Sequence, residues 1–295
     1  MFRIKEKVLH KVQRVSSLRA AVVAARKEKK TVGFVPTMGN LHAGHLELVK
    51  VAKRHADLVV ASIYVNPTQF GANEDLSNYP STPEQDARLL AEYGADLLFL
   101  PTQETMYPGE LSQQTVVYVP GIGDLYCGRD RPEHFYGVTT VVSRLFNMVQ
   151  PDVAVFGKKD YQQLAIIQRM VTDLAYSIQV VGVDTIRSDE GLALSSRNGY
   201  LNAQQLSVGS KLYAVLNAMA VQLQSMKITK ATLKQLEDSA KEELKSAGFE
   251  PQFIAVTRRS DLLPANTGDV ELVILAAAAL GKTRLIDNVE VTLEK

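Results

Sequence analysis

Segments with the pattern of a buried strand alternate with helical segments through about the first two hundred residues, and this alternation constrains the fold most. The strand patterns are continuous runs rich in Val, Leu and Ile, at 31–37, 57–67, 95–101, 152–157 and 177–183. The helical patterns lie at 15–30, 42–56, 82–94, 138–151 and 159–174. Ser16 or Ser17 is the expected cap of the first helix. Continuous apolar strands indicate a parallel sheet buried on both faces, so we predict an α/β fold.

The pattern changes after Asn202. Two long helical segments are followed by short strand patterns; the helices are expected at 203–226 and 228–247, and the strands at 251–259, 270–280, 283–287 and 288–294. This order predicts a smaller α+β unit with its own apolar core. We place the boundary near Arg187, which divides the chain into domains 1–186 and 187–295.

The composition argues against several classes of protein. Lys and Arg number 33 against 32 Asp and Glu, and the net charge of +1 disfavours a nucleic-acid or membrane-surface partner. The single cysteine, Cys127, cannot form a disulfide framework or a zinc site by itself, so we expect an inert thiol in a reducing cytoplasm. The longest apolar run, at 270–280, is shorter than the ~18 residues of a membrane span. Residues 1–14 lack the apolar stretch of a signal peptide.

The stretch VPTMGNLHAGHLELVK places two histidines where a strand pattern gives way to a helix. His42 and His45 would share one face of the first helical turn, where free backbone N–H groups and the helix dipole attract anions. Gly44 leaves space for a ligand between the rings, and Gly39 and Asn40 suit the tight turn. The dipole should lower the histidine pKa values, and a neutral imidazole N–H can still donate to a phosphate oxygen.

Three other interpretations of the histidine pair stay open at this point. His42 could cap the helix, His45 could face solvent, or the pair could form half of a metal site. Metal pairs on helices usually stand four residues apart with a third ligand nearby. No such ligand is visible in the sequence, so we predict no protein-bound metal.

Two further loops carry groups that suit a phosphate. In IRSDEGLALSSRNGYL, Ser195, Ser196 and Arg197 supply hydroxyls and a guanidinium between glycines that would let the loop move over a ligand. The alternative for this loop is a polar interdomain linker. In FGKKDYQQL, Lys158 and Lys159 lie between a strand pattern and a helix pattern, which is again a position that suits an anion.

Asp160, Gln163 and Gln69 complete the candidate polar groups near strand ends. Asp160 is either a helix cap or an acceptor for a ribose hydroxyl. Gln163 lies one helical turn further on, and Gln69 follows the second strand pattern; a side-chain amide can bind both a carboxylate and a hydroxyl. In parallel sheets the ligand crevice lies beyond the carboxyl ends of the strands, so we expect these loops to meet there.

Convergence of three such loops favours transfer at the α-phosphate of ATP, stabilised electrostatically and without a covalent protein nucleophile. Neither GxxxxGK[ST] nor GxGxxG is present near the first strand pattern, and no Ser-His-Asp or Cys-His grouping stands out. The sequence therefore disfavours a P-loop or dinucleotide enzyme.

The motifs resemble those of the pantoate–β-alanine ligase (pantothenate synthetase) family through nearly the whole chain. The segments that carry the likeness are PTMGNLHAGH, SIYVNPTQF, DLSNYPSTPEQD, RPEHFYGVTTVVSRLFNMVQPDVAVFGKKDYQQL, GLALSSRNGYL and LGKTRLIDN. The first is similar to the His-x-Gly-His signature of nucleotidylyltransferases and class I aminoacyl-tRNA synthetases, and GLALSSRNGYL resembles their mobile KMSKS-type loop. The resemblance implies a Rossmann-like domain, a smaller C-terminal lid domain and a homodimer.

The reaction that the resemblance implies has two steps. ATP, carrying Mg²⁺ on its phosphates, and (R)-pantoate give pantoyl adenylate and pyrophosphate. The amine of β-alanine then attacks the acyl carbon and releases AMP and pantothenate, the vitamin precursor of coenzyme A. A closing lid would keep water away from the adenylate.

The resemblance also assigns residues to ATP and to catalysis, with His45 as the implied proton donor. The residues implied for ATP are Met38, Gly39, Asn40, Leu41, His42, Ala43, Gly44, His45, Gly157, Lys158, Lys159, Asp160, Ile186, Leu194, Ser195, Ser196 and Arg197. The implied catalytic set is His42, His45, Lys159, Ser195, Ser196 and Arg197.

More detailed roles follow from the same likeness. It implies that Lys159 contacts the phosphates, that Asp160 contacts the ribose, and that the backbone of Ile186 touches adenine. It places Gln69 and Gln163 on pantoate, with Gln69 near β-alanine as well.

The chain departs from the family pattern in two regions. Lys158 stands where glutamate is usual, and we expect it to face solvent. Glu133 stands where glycine is common, and the preceding LYCGRDRP is unusual. These departures affect the contacts expected from Arg131 and His134.

Two other functions stay as alternatives. Another adenylyltransferase would move AMP to a phosphate ester and stop there, whereas Gln69 and Gln163 favour a compact hydroxy acid. A nucleotide-binding regulator would bind ATP without pantoate-dependent pyrophosphate exchange. RNA binding, suggested by the synthetase likeness, lacks a visible basic surface excess.

Overall fold

The computed structural model describes residues 9–72 and 74–294. The expectation that 1–14 contains no signal peptide falls largely on residues 1–8, which lie outside the described residues. Within the described ranges, every helix is too short or too polar to cross a membrane.

A six-stranded parallel sheet forms the first unit and confirms the predicted α/β class. Its strands are β1 (His10–Val12), β2 (Val32–Thr37), β3 (Leu58–Ile63), β4 (Leu97–Phe99), β5 (Val153–Gly157) and β6 (Gln179–Val183). They lie in the order β1-β4-β3-β2-β5-β6, with every neighbouring pair parallel. Strands β2 to β6 match the predicted ones. The edge strand β1 is not predicted by the sequence pattern, because only one of its three residues is apolar.

Helices cover both faces of this sheet. They are α1 (Val15–Lys27), α2 (Ala43–His55), α3 (Pro83–Glu92), α4 (Gln103–Met106), α5 (Cys127–Asp130), α6 (His134–Val149) and α7 (Tyr161–Asp173). One core lies between the sheet and α1, α6 and α7, and includes Phe34 and Phe146. The other lies on the opposite face, under α2 and α3, and includes Val49 and Leu90. Because the strands are buried on both faces, nearly all of their residues are apolar, and their sequences are continuous apolar runs.

The C-terminal unit is the predicted smaller α+β fold. Its elements are α8 (Ala203–Gly209), α9 (Lys211–Leu223), α10 (Lys230–Ser246), β7 (Phe249–Arg258), β8 (Glu271–Leu280) and β9 (Thr283–Thr292). The three strands form an antiparallel sheet in the order β7-β8-β9. Helices α9 and α10 pack on one face of that sheet through side chains such as Leu216, Leu244 and Ile274.

Three local predictions are wrong. Ser16 and Ser17 lie inside the first turn of α1, so neither caps it. The helix predicted at 203–226 is interrupted at Ser210, which separates α8 from α9. The two short strand patterns after Lys282 belong to one strand, β9, because its pairing with β8 continues without a break.

The second face of the C-terminal sheet packs against the parallel-sheet unit. Tyr126 lies among Phe253, Leu262 and Leu275, and its hydroxyl donates to the carbonyl of Leu262 at 2.8 Å. Tyr126 belongs to LYCGRDRP, so this unusual segment forms part of the contact between the two units. The neighbouring Cys127 is a free, partly buried thiol.

Candidate active site

The candidate site lies where the order of the strands reverses. From β2 the chain proceeds through β3 and β4 on one side and through β5 and β6 on the other, so β2 and β5 meet at a topological switch point. His42 and Lys159 lie in the connections after these two strands, and His45 lies in the first turn of α2; all three line a cavity of about 230 Å³. Residues 194–197 line the same cavity. The predicted convergence of three loops is therefore present in the structure.

A carboxylate that the sequence pattern does not single out stabilises the turn between β2 and α2. Gly39 and Asn40 adopt left-handed conformations there, with φ of +87° and +50°, as expected of a tight turn. The backbone N–H groups of Asn40 and Leu41 donate to Asp86 at 2.9 Å each, and Asp86 is only 1% exposed. These two amides are therefore engaged by Asp86 and are not free to bind a ligand.

Both histidines use Nδ1 to accept a hydrogen bond from the start of α2. Nδ1 of His42 accepts from the N–H of Gly44 at 3.1 Å, and Nδ1 of His45 accepts from the N–H of His42 at 3.4 Å. His42 is thus a helix cap and a cavity residue at once. A Cβ at Gly44 would stand 2.9 Å from Cε1 of His42, so glycine is needed for this cap. Since each Nδ1 accepts, each neutral ring carries its proton on Nε2.

Burial keeps both rings neutral at physiological pH. Burial, followed by the charge of Lys159, lowers the pKa of His42 to about 4. Burial, followed by His42 and Lys159, lowers the pKa of His45 to about 3. The shifts have the predicted direction, but their main cause is burial rather than the helix dipole. The two rings lie 4.1 Å apart and present a pair of neutral N–H donors.

We expect the free energy of unfolding to fall as the pH drops below about 6.5, the ordinary histidine pKa. Between that pH and the native pKa values of about 4 and 3, the unfolded chain binds protons that native His42 and His45 do not. The stabilisation is complete above about pH 6.5 and is lost towards acid, at up to about 1.4 kcal/mol per pH unit for each ring. Urea unfolding measured from pH 7 to 4.5 should therefore show a smaller decrease in the free energy of unfolding for His45→Gln than for the wild type. Parallel curves for the two proteins would contradict this assignment.

The loop after β5 presents only one of its two lysines to the cavity. Lys159 lines the cavity with a 20% exposed side chain, and its nearest carboxylate is that of Asp160, at 3.6 Å. Lys158 instead pairs with Asp184 at 2.8 Å and with Glu290 at 2.9 Å. Lys158 is therefore neither a residue of this cavity nor a free cation facing solvent, contrary to both expectations.

Asp160 lines the cavity and does not cap α7. Its side chain makes no capping hydrogen bond, although it directly precedes the helix. Burial is the largest single effect and would raise the pKa of Asp160, but Lys159 and the neighbouring basic groups, Arg197 among them, together outweigh it and hold that pKa below its ordinary value. Asn288 on β9 donates to the carbonyls of Lys158 and Lys159 at 2.8 and 3.0 Å, so the C-terminal sheet holds this loop in place.

The loop at 195–197 is attached to the turn before α2. The Ser196 hydroxyl donates to the carbonyl of Asn40 at 3.1 Å, and the Asn40 amide donates to the carbonyl of Ser196 at 3.4 Å. Arg197 binds Asp75 through two nitrogens, at 2.7 and 3.0 Å. The loop therefore lies against the site rather than serving only as a linker, and a phosphate would share Arg197 with Asp75.

The two glutamines lie where the lining of the cavity becomes apolar. Gln69 donates to the sulfur of Met38 at 3.0 Å and accepts from the Asn66 amide at 3.1 Å, and Gln163 also lines the cavity. The hydroxyl of Tyr64 has no hydrogen-bond partner among the described residues. The apolar wall consists of Leu48, Val138, Val141, Val142, Leu145 and Phe156. This end of the cavity suits a compact ligand with both apolar and polar groups.

The segment RPEHFYG, which departs from the family pattern, contacts the Gln69 turn directly. Nδ1 of His134 lies 2.8 Å from the carbonyl oxygen of Gln69, and Arg131 donates to the same oxygen at 3.3 Å. Arg131 also binds Glu74 through two hydrogen bonds of 2.5 Å. A Cβ at Gly137 would stand 2.2 Å from a carbonyl oxygen of this turn, so only glycine allows α6 to approach it. The substitution at Glu133 thus leaves both Arg131 and His134 at the cavity.

The structure brings most of the predicted residues to the cavity. Those that line it are Met38, His42, Gly44, His45, Gln69, Gly157, Lys159, Asp160, Gln163, Ile186, Leu194, Ser195, Ser196 and Arg197. Those that do not are Gly39, Asn40, Leu41, Ala43 and Lys158. The first three form the turn behind the cavity, Ala43 is exposed, and Lys158 is paired elsewhere.

Sequence reasoning missed several polar and aromatic residues of the site. Tyr64, Asn66, Phe70 and Tyr79 line the cavity, and Asp75 binds Arg197. All five lie in or beside SIYVNPTQF and DLSNYPSTPEQD, so the position of these motifs after a strand was the available signal. No group of three or more His, Cys, Asp or Glu in 9–72 and 74–294 is arranged to hold a metal ion.

The fold and the cavity define an α/β protein with a cavity at its switch point, lined by neutral imidazole donors and by Lys159, that suits an anion. Comparisons with known proteins narrow this class. Residues 10–290 match the Pantoate-beta-alanine ligase family. The chain belongs to this family, whose reaction is the ATP-dependent ligation of pantoate to β-alanine.

Individual relatives agree over almost the full length. The pantothenate synthetase of Stutzerimonas stutzeri (strain A1501) is 54% identical over 282 residues, which are 96% of this chain and 98% of that protein. The crystal structure of pantothenate synthetase from Thermus thermophilus is 44% identical, with a TM-score of 0.88 over 96% of this chain and 100% of that one. The Francisella tularensis ligase, complexed with β,γ-ATP and β-alanine, is 31% identical, with a TM-score of 0.78 over 96% and 98% of the two chains.

Proposed function

We propose that the chain makes pantothenate in two steps at the switch-point cavity, through a pantoyl adenylate. The observation that carries the proposal is the meeting of the histidine pair, Lys159 and the 195–197 loop around one cavity. A carboxylate acylates an amine slowly until it is esterified to a good leaving group such as AMP. The family match favours this ligase over an adenylyltransferase that stops at AMP transfer and over a nucleotide-binding regulator.

In the first step, a pantoate carboxylate oxygen attacks the α-phosphorus of ATP and pyrophosphate leaves. His45 donates its Nε2 hydrogen to the α-phosphate as negative charge develops there, with His42 beside it. Lys159 supplies the opposing positive charge, and Ser195, Ser196 and Arg197 bind the outer phosphates. Asp160 accepts from the ribose, and the backbone of Ile186 contacts adenine.

The apolar end of the cavity would hold pantoate. Its two methyl groups would pack against Val138, Val142 and the other apolar side chains that line that wall. Its hydroxyl and carboxylate groups would meet Gln69 and Gln163, whose amides can donate and accept. This arrangement supports a compact hydroxy acid as the nucleophile.

In the second step, the amine of β-alanine attacks the acyl carbon, AMP leaves with the electron pair of the broken bond, and the nitrogen loses a proton to solvent as the amide forms. The adenylate must be kept from water until then. The bonds between Ser196 and Asn40 hold the 195–197 loop against the site, which supports its role as a cover. We also propose that the residues from 187 onward act as a lid domain.

ATP would arrive with Mg²⁺ on its phosphates. Since the described residues offer no group of three metal-binding side chains, the phosphates themselves would hold the ion as part of the substrate. A homodimer in the cytoplasm is likewise proposed, on the strength of the family resemblance.

Isotope exchange tests this proposal. Enzyme supplied with ATP, pantoate and labelled pyrophosphate, without β-alanine, should transfer label into ATP only when pantoate is present. Addition of β-alanine should then give AMP and pantothenate in equal amounts. A regulator would show no exchange, and an adenylyltransferase would form no amide; either result would overturn the proposal.

A further inference from the structure

A second and larger cavity, of about 870 Å³, adjoins the site between the parallel-sheet unit and the turn joining β8 to β9. We call it the interdomain cavity. It shares Arg131, Lys159, Asp160, Ser195 and Arg197 with the smaller cavity, so the two are neighbours across the loop proposed to bind the outer phosphates. A ligand that leaves the smaller cavity past Lys159 and the 195–197 loop therefore enters the interdomain cavity.

Each of the four carboxylates that line this cavity has a cationic partner. Glu74 pairs with Arg131 at 2.5 Å, and Asp75 pairs with Arg197 at 2.7 Å. The other two pairs join Asp160 to Lys159 at 3.6 Å and Asp287 to Arg187 at 2.6 Å. The negative charge of the lining is therefore compensated locally.

Two cations of the lining stay without a carboxylate partner in the described part of the chain, namely Lys282 and Arg284. Five cations line the cavity, and Arg187, the partner of Asp287, makes a sixth. Four of these six are paired with the four carboxylates, which leaves an excess of two positive charges. An uncompensated positive cavity attracts small anions.

Arg284 is held in place by neutral groups. Its Nε donates to the side-chain oxygen of Gln252 at 2.7 Å, and its Nη2 contacts the sulfur of Cys127 at 3.3 Å. These contacts orient the guanidinium without neutralising it. Lys282 lies in the exposed turn before β9, at the wall of the same cavity. Both residues belong to LGKTRLIDN, a motif to which the adenylation site assigns no role.

We propose that the interdomain cavity receives the pyrophosphate released by adenylation, with Lys282 and Arg284 as its electrostatic attractors. The inference rests on the proposed two-step reaction, in which the bond between the α-phosphorus and its bridging oxygen breaks and that oxygen leaves with the electron pair. Pyrophosphate carries several negative charges and must leave before reversal regenerates ATP. The two unpaired cations, which lie beyond the 195–197 loop, lower the electrostatic energy of pyrophosphate in the interdomain cavity.

The test uses Lys282→Gln, Arg284→Gln and the double variant, because glutamine removes the charge and keeps hydrogen-bonding capacity. In the double variant the inhibition constant of inorganic pyrophosphate should rise about tenfold, with roughly threefold changes in each single variant, as expected of partly solvated charges. The KM for ATP should change less than about twofold on the same grounds. Lys234→Gln, an exposed lysine on α10, is the matched control and should behave as wild type.

Salt provides a second measurement. Binding of pyrophosphate to the wild type, followed by calorimetry, should weaken as ionic strength rises, and the double variant should show a weaker salt dependence. An unchanged inhibition constant in the double variant would overturn the exit role. An equal rise in the KM for ATP would overturn it as well, since Lys282 and Arg284 would then bind the triphosphate. If wild-type enzyme shows no pyrophosphate exchange at all, the two-step reaction itself fails, which is a distinguishable result.

Discussion

Lys159→Ala is expected to lower pantoate-dependent pyrophosphate exchange by about 10²- to 10³-fold, the range seen when a preorganised charge-stabilising group is removed. The ammonium lines the cavity, and its nearest carboxylate lies 3.6 Å away, beyond hydrogen-bond distance. Its charge is therefore available to the phosphates, whereas two nitrogens of Arg197 are already engaged by Asp75. In a site that excludes water such a charge stabilises developing negative charge more than it would in solvent.

The adjacent lysine offers a matched control. Lys158→Ala removes the same side chain one residue earlier, but that ammonium is bound by Asp184 and Glu290 rather than presented to the site. We expect its exchange rate to fall far less than that of Lys159→Ala. Lys159→Arg keeps the charge in a different geometry and should recover part of the activity. Equal losses in both alanine variants would mean that general loop damage, not the charge of Lys159, explains the effect.

His45→Ala is expected to slow adenylate formation by a similar factor, about 10² to 10³, which corresponds to about 3 to 4 kcal/mol of transition-state stabilisation. The reason is the tautomer: Nδ1 accepts from the backbone of His42, so the Nε2 hydrogen is free for the ligand. The low pKa, about 3, keeps the ring neutral and makes it a hydrogen-bond donor rather than a permanent cation. The substitution also removes one hydrogen bond at the start of α2, at a cost of about 1 kcal/mol, so the fold should survive.

Two further variants make this prediction specific. His45→Gln places an amide N–H near the position of the imidazole Nε2 and should recover part of the lost rate. His55→Ala, at the exposed C-terminal end of the same helix, should leave the rate unchanged. Rates should be measured by pyrophosphate exchange, with circular dichroism as the check on folding. A wild-type rate in a folded His45→Ala variant would refute the role of this ring.

The fold follows largely from local patterns. Continuous apolar runs predicted β2 to β6 because a strand buried on both faces must be apolar at almost every position. The order of strands and helices along the chain predicted a parallel sheet followed by a smaller α+β unit. Local patterns did not predict the strand β1, which is short and mostly polar, or the break between α8 and α9 at Ser210.

The candidate site was predictable only as a set of loops. Their positions after β2 and β5 indicated a shared edge of the sheet, and the structure places His42, His45 and Lys159 at one cavity there. The direction in which Lys158 points was not predictable, since its partner Glu290 lies 132 residues further along the chain.

Apolar periodicity, strand order and the residue types at strand ends were therefore readable from the chain alone, because burial and secondary structure depend on neighbours within a few residues. The contacts that prepare the site join distant positions. Asp86 occupies the amides of a turn 46 residues away, and Asp75 holds an arginine 122 residues away. The uncompensated charge of Lys282 and Arg284 likewise becomes visible only once the two units pack together, since pairing of charges is a property of three-dimensional distance.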